Sequence, residues 1–361
     1  MAELKVDKKL AIAMWDFSWL ERRWDGAGYE DWDKILEELK ERGYDAVRID
    51  VYPHLLHTDP DKEWTLLPVW YYQTWGSPAI NKVTVKENLK EFLTKCKEHG
   101  LKVGLSTWFR VDEDNVVMNI KTPEDHAAVW KTTLDFIAGW GLLDNILYVD
   151  LCNEFPLNVW APFLEPVLGT AEPERRQKEI FDWMRVSIEE LRKSYNNIPL
   201  CYSFTGLFDD PDEDISFMDL LELHIWMAST DEYYEMVGYN YERYELKGYE
   251  NIVLNAERVY KERPEYWKNC LKEAIEKAAK WSKKSGKPII TTECWGVVDY
   301  KDWPLLKWDW VKELCEFGVE EAVKTGKWAA MATSNFCGPQ FAGMWPDIEW
   351  HKRLTDLIHN S

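Results

Sequence analysis

Two glutamates stand where a carboxylate can act on a substrate. Glu154 lies in Leu151-Cys152-Asn153-Glu154-Phe155-Pro156, and Glu293 lies in Ile289-Ile290-Thr291-Thr292-Glu293-Cys294-Trp295-Gly296. Each closes an apolar, β-type run and is followed by loop residues. One strand-end acid means little, but two at the ends of different parallel strands can divide the cleavage of a glycosidic bond between them. One protonates the leaving oxygen, and the other attacks the sugar carbon or activates water. Asn153 adds an amide that can hydrogen-bond a sugar hydroxyl more strongly in the transition state.

Further candidates cluster at other strand ends. Arg48 and Asp50 alternate with Val47, Ile49 and Val51, so they share one strand face. An inward Arg48 would lower the pKa of a neighbouring carboxylate and keep a nucleophile ionised; a structural ion pair to a helix is the other reading. Trp15-Asp16 ends the first strand, Trp108-Phe109-Arg110 the third and Asn335-Phe336 the eighth, while Trp295 follows Glu293 by two. Asp16 and Asn335 suit sugar hydroxyls, and the indoles of Trp15, Trp108, Trp295 and Trp345 suit sugar stacking, although core packing is an equal reading for each indole.

The elements that must position these residues alternate about eight times. The strands are predicted over 10–15, 44–51, 101–108, 145–151, 198–203, 218–225, 288–293 and 328–335. Helices are predicted over about 29–42, 85–99, from Pro123 onward, 173–195, 265–285, 307–325 and 347–358, with Gly43, Gly100 and Gly326 as stops. The fifth crossover, 204–217, is short and acidic and reads as a brief helix or a loop. This alternation predicts a single (β/α)8 barrel over residues 1–361, with a doubly wound open sheet as runner-up. No GxGxxG or GxxxxGK[ST] follows a strand, so nucleotide binding lacks support.

Two insertions leave strand C-termini, where barrel active sites are built. Residues 52–84 carry His54, His57, Trp64, Trp70, Tyr71, Tyr72 and Trp75; residues 226–264 carry Tyr233, Tyr234, Tyr239, Tyr241, Tyr244 and Tyr249. Their length and aromatic content predict walls of a pocket. His54 and His57 read as loop residues and poor metal ligands. The run Asp209-Asp210-Pro211-Asp212-Glu213-Asp214 lacks the turn Gly and final Glu of a calcium loop and reads as a solvated acidic loop. Cys152 and Cys294 alternate away from the adjacent glutamates and read as small buried strand residues.

Asn153-Glu154 ending strand four and Glu293 ending strand seven resemble clan A of the retaining glycoside hydrolases, the cellulase-like group of (β/α)8 barrels. The resemblance spans the barrel but rests on few, short motifs. It implies Glu154 as acid/base, Glu293 as nucleophile, Arg48 as the strand-two arginine orienting the nucleophile, and His224 as a residue lining the site. Many members carry a Tyr near the end of strand six that hydrogen-bonds the nucleophile; here His224-Ile225-Trp226 occupies that place, which leaves open what supports Glu293.

Composition narrows the partners. With 64 acidic against 44 basic residues the formal charge is −20, which repels phosphate backbones and anionic lipid. The 22 Trp fit a carbohydrate site as well as a core. Seven Cys, an odd number without a CxxC spacing, suit free thiols in a reducing compartment and no zinc site. Residues 1–9 are charged without a hydrophobic signal core, and no apolar run approaches the length of a membrane span, so a cytoplasmic location is expected. The expectation is a retaining β-glycosidase without cofactor or metal, exo-acting on short β-linked oligosaccharides. The alternatives are an endo-acting β-glucanase or β-mannanase, a catalytically inactive sugar-binding barrel, and a lyase or aldolase, which would want a strand-end Lys or a metal cluster. Oligomeric state is not set by the sequence.

Overall fold

In the computed structural model all residues are described except 1, 5, 70–78, 207, 231, 241–245 and 298–305. Eight barrel strands follow one another in the chain: β1 (Leu10–Asp16), β2 (Ala46–Asp50), β3 (Lys102–Ser106), β4 (Ile146–Asp150), β5 (Leu200–Cys201, resuming as Ser203–Thr205), β6 (Leu221–Trp226), β7 (Ile289–Thr291, resuming as Cys294–Trp295) and β8 (Trp328–Met331). Every neighbouring pair is parallel, and β8 returns to β1 through Leu10 opposite Ala330, so the sheet closes into a barrel. The doubly wound alternative is thereby excluded.

Outer helices return the chain between strands: α1 (Trp32–Glu41), α2 (Val85–Glu98), α3 (Pro123–Gly139), α4 (Lys178–Arg192), α5 (Leu246–Glu262), α6 (Pro264–Ser285), α7 (Asp309–Thr325) and α8 (Ile348–His359). Helix α1 buries Trp32, Ile35, Leu36 and Leu39, a one-face spacing, and Asp31 caps it by accepting from Lys34 N at 3.1 Å. Helix α3 begins with Thr122 and Asp125 exchanging side-chain and backbone bonds across Pro123. Between β5 and β6 the described residues form turns and no helix. The acidic run there is not merely solvated: Arg175 holds Glu213 at 2.9 and 2.8 Å, and Arg176 reaches Asp209 and Glu213 at 2.9 and 3.0 Å.

Both insertions contain regular structure. The first forms a short helix, Pro53–Thr58, and an antiparallel hairpin of Glu63–Leu66 with Asn81–Thr84. It places His54 and His57 on a helix, not a loop, with His54 buried against Phe109 and bonded to the Arg110 carbonyl. The second contains a short helix, Tyr233–Val237, and the whole of α5. Among its tyrosines, Tyr233 packs on Trp267 and donates to the Ala256 carbonyl, and Tyr234 packs on Tyr239, so these three are interior side chains and not a pocket wall. Trp64 is likewise buried, with its indole N–H directed at the Asp59 carbonyl. Trp70, Tyr71, Tyr72, Trp75, Tyr241 and Tyr244 lie outside the described residues.

Candidate active site

The inner face of the barrel is polar at one end. Alternation along β2 turns Arg48 and Asp50 inward, along β4 Tyr148 and Asp150, and along β6 Glu222, His224 and Trp226. Gly104 on β3 lets the Tyr148 ring cross the barrel: a Cβ there would meet the ring at 2.6 Å. Above that ring Arg48 is fully buried and spends its donors on several strands. Nη1 reaches Glu293 Oε1 at 3.0 Å and Thr292 Oγ1 at 3.1 Å; Nη2 reaches Asp150 Oδ2 at 2.6 Å, Asn153 Oδ1 at 2.8 Å and Ser106 Oγ at 2.9 Å. Arg48 is therefore inward, and the outward helix ion pair is excluded. Its guanidinium also lies 4.6 Å from the Trp108 ring centre, and Asp50 accepts from Trp108 N at 2.9 Å, which fixes that segment.

Glu154 follows β4 with φ 44°, a left-handed conformation that a non-glycine residue keeps only when its surroundings hold it. Ser203 supplies that hold: its Oγ accepts from Glu154 N at 2.9 Å and its carbonyl from Phe155 N at 3.0 Å. The Glu154 carboxylate meets His224 Nδ1 at 3.0 Å and the Trp160 indole N–H at 3.3 Å. His224 Nδ1 also lies 3.6 Å from Glu293 Oε2. One carboxylate oxygen of Glu154, one of Glu293 and one His224 nitrogen all fall within 4.8 Å of each other.

Electrostatics divide the group. Burial pushes the Glu293 carboxyl up to about 7, with the Glu154 charge adding to the rise and His224 and Arg48 pulling against it. Arg48 thus acts in the expected direction, but burial outweighs it. For His224, burial alone would lower the pKa; the surrounding Glu293, Glu154 and Glu222 carboxylates win and raise it to about 10, so the imidazole is a cation.

Several polar atoms here are buried without a hydrogen-bond partner among the described residues: Trp108 Nε1, Asn153 Nδ2, and both side-chain polar atoms of Asn335. Asn153 offers its oxygen to Arg48, which leaves the amide N–H groups unspent. The backbone N of Asn335 donates to the Cys294 carbonyl at 3.1 Å, beside Glu293. Unspent buried donors and acceptors are costly in a folded chain, and at this end of the barrel they are available to a polar ligand or to water.

Other candidates are not brought into this group. Trp15 packs on Tyr29 and Phe92 and donates to the Cys337 carbonyl at 2.6 Å, because strand alternation turns it to the helix layer. Trp295 is also turned outward, onto Gly318 of α7, with its N–H on the Ala332 carbonyl at 3.0 Å; β7 is interrupted between Thr291 and Cys294, so Trp295 does not share the face of Glu293 two residues before it. Trp345 donates to Glu38 Oε2 and stacks under Arg42 on the flank of the barrel. Asp16 commits Oδ1 to Ser18 N and Oγ at 2.7 and 2.8 Å. Arg110 forms a buried two-point pair with Glu21 at 2.7 and 2.9 Å. Trp226 is buried at the end of β6, on the face of His224. Asp150, Ser106, Ser203, Thr292, Glu222 and Trp160 join the site without having been singled out. The signal for Asp150 and Glu222 was present: a charged residue alternating with apolar ones, the same pattern that marks Arg48.

Comparison with known proteins settles the family. A family described as sugar-binding cellulase-like matches residues 12–359. The chain belongs to the cellulase-like family. This member is similar, at 55% identity and TM-score 0.95, to a provisionally assigned glycoside hydrolase from Parabacteroides distasonis ATCC 8503, over 98% of this chain and 94% of that one. A Thermotoga maritima Cel5A solved with mannotriose (15% identity, TM-score 0.53, 98% of each chain) and an endo-β-1,4-mannanase from Thermotoga petrophila (12%, TM-score 0.57, 99% of this chain and 78% of that one) share the barrel fold. No curated protein matches. The chain is a glycoside hydrolase of the cellulase-like clan, and its fold is the (β/α)8 barrel of its structural neighbours.

Proposed function

We propose that this hydrolase cleaves β-glycosidic bonds with retention of configuration, with Glu154 as acid/base and Glu293 as nucleophile. The observation that carries the reading is the approach of one oxygen of each carboxylate to within 4.8 Å of the other. So close an approach suits the retaining separation of about 5–5.5 Å better than the about 6.5–9.5 Å that leaves room for an attacking water. Glu154, at 15% side-chain exposure the more open of the two, protonates the leaving oxygen. Glu293, oriented by Arg48, attacks the anomeric carbon and forms a glycosyl ester. Water, deprotonated by Glu154, then displaces Glu293. The unspent Asn153 N–H groups meet a hydroxyl of the sugar at the reacting centre.

Attack is proposed at the ends of short β-linked oligosaccharides. What supports this is that the first insertion, which leaves the C-terminal end of β2, is tied to the segment after β3 by Leu67 N on the Val111 carbonyl at 2.8 Å. Proton NMR of the first-formed anomer tests the mechanism: β product from β substrate is expected, and α product contradicts it. Rapid viscosity loss of a β-glucan or β-mannan with little free monosaccharide would replace end-attack by internal cleavage.

A further inference from the structure

Behind the two carboxylates lies a third. Glu222 precedes His224 by two residues on β6 and shares its inner face. Its Oε1 accepts from Thr292 N at 3.1 Å and Thr292 Oγ1 at 2.8 Å, which ties it to the residue next to Glu293. The same Oε1 lies 3.6 Å from His224 Nε2, within ion-pair reach but longer than a hydrogen bond. The other imidazole nitrogen is the one that meets Glu154 and Glu293. Both Glu222 and His224 have fully buried side chains, and neither His224 Nε2 nor Glu222 Oε2 has a hydrogen-bond partner among the described residues. Leaving a neutral N–H and a carboxylate oxygen buried and unspent is costly; opposite charges at this distance offset that cost.

We propose that Glu222 is a positioning residue, one that holds the His224 imidazole from behind and keeps it cationic, so that Nδ1 presents a donor to the Glu154–Glu293 pair. This rests on the reading of that pair as the reacting groups. The ionisable groups facing the Glu222–His224 unit are Arg48, Tyr148, Asp150, Cys201, Cys294, Glu154 and Glu293. Arg48 is the only other cation among them, so Glu222 is neutralised from two sides: although burial would raise its pKa, His224 and Arg48 hold it below the usual glutamate value. Glu222 thus couples the backbone at Thr292 to the charge that Glu154 and Glu293 share.

NMR titration of the imidazole signals tests this, with His224→Gln identifying those of His224. In the unmodified enzyme His224 is expected to keep its proton well above neutrality. In Glu222→Gln, which keeps the side-chain shape and removes the charge, its titration is expected to fall by about one unit or more. Glu222→Asp, which restores the charge, is expected to reverse most of that fall. A merely structural Glu222 would lower activity and leave the His224 titration in place. Loss of the His224 proton below neutrality in the unmodified enzyme overturns the proposal even if Glu222→Gln does not fold; so does an unmoved titration in a folded variant. Failure of the reading of Glu154 and Glu293 as the reacting pair is seen separately, as covalent trapping of a residue other than Glu293.

Discussion

Glu154 and Glu293 are the same residue type in different surroundings, and the roles proposed for them rest on that difference. Glu293 is 2% exposed and clamped by Arg48, whereas Glu154 is more open and shares a proton donor, His224. Because burial raises Glu293 to about 7, its carboxylate form is the minority below that pH. The kcat/KM profile is therefore expected to fall on the acid side of about 7, by about tenfold per pH unit; a flat profile down to the usual carboxylate range would contradict it. Glu154→Gln is expected to lower kcat/KM by about 10²–10⁴ on substrates with poor leaving groups and much less on activated aryl glycosides, read from steady-state rates on both. Trp108→Phe removes one buried N–H that has no hydrogen-bond partner among the described residues. It is expected to cost about 1 kcal/mol in kcat/KM while thermal stability holds or rises, since an unspent donor leaves the core. At this scale Arg48, Asn153, Glu154 and Glu293 are legible in the sequence because each interrupts or closes an apolar run. Trp15 and Trp295 mislead because adjacency to a strand end does not say which face an indole takes: alternation turns Trp15 outward, and the interruption of β7 between Thr291 and Cys294 lets Trp295 turn outward although Glu293, two residues before it, faces in.

The elements are legible wherever one periodicity dominates. The strands lie where apolar runs lie, and capping signals such as Thr122-Pro123 mark helix starts. Helix α5 is harder: Ile252, Ala256, Val259 and Tyr260 carry its one-face spacing, but the tyrosines of the same insertion also suit a pocket wall. Their burial depends on contacts with α6 that no local pattern reveals. Where β7 meets α7, shape decides. A Cβ on Gly318 would stand 2.5 Å from Trp295 Cγ, so the indole lies flat on the helix only because position 318 has no side chain. Gly318→Ala is expected to destabilise by about 1–3 kcal/mol in chemical denaturation, through overpacking, despite its better helix propensity. Displacement of Trp295 there would also disturb Glu293, two residues away.

For the molecule as a whole, the abundance of tryptophan is mainly structural. Ten tryptophans are among the largest fully buried side chains, most of them filling the layer between barrel and helices. A count from composition has no way to separate that layer from a sugar platform. The cysteines follow the sequence expectation more closely: all seven are free, six are buried, and Cys270 alone is half-buried. Burial raises the buried thiols, Cys96 and Cys152 among them, so they are poor nucleophiles in the folded state. Thiol titration with a disulfide reagent is expected to count one slowly reacting group in the native protein and seven after denaturation; several fast native thiols would contradict the packing described. Barrel closure brings β4 and β7, distant in the chain, to opposite sides of one mouth, and so brings Glu154 and Glu293 together. The most direct test of that pairing is mass spectrometry of the intact enzyme after incubation with activated 2-fluoro β-glycosides, followed by peptide mapping. A single covalent sugar on Glu293 is the predicted result; a sugar trapped on any other residue would contradict the account.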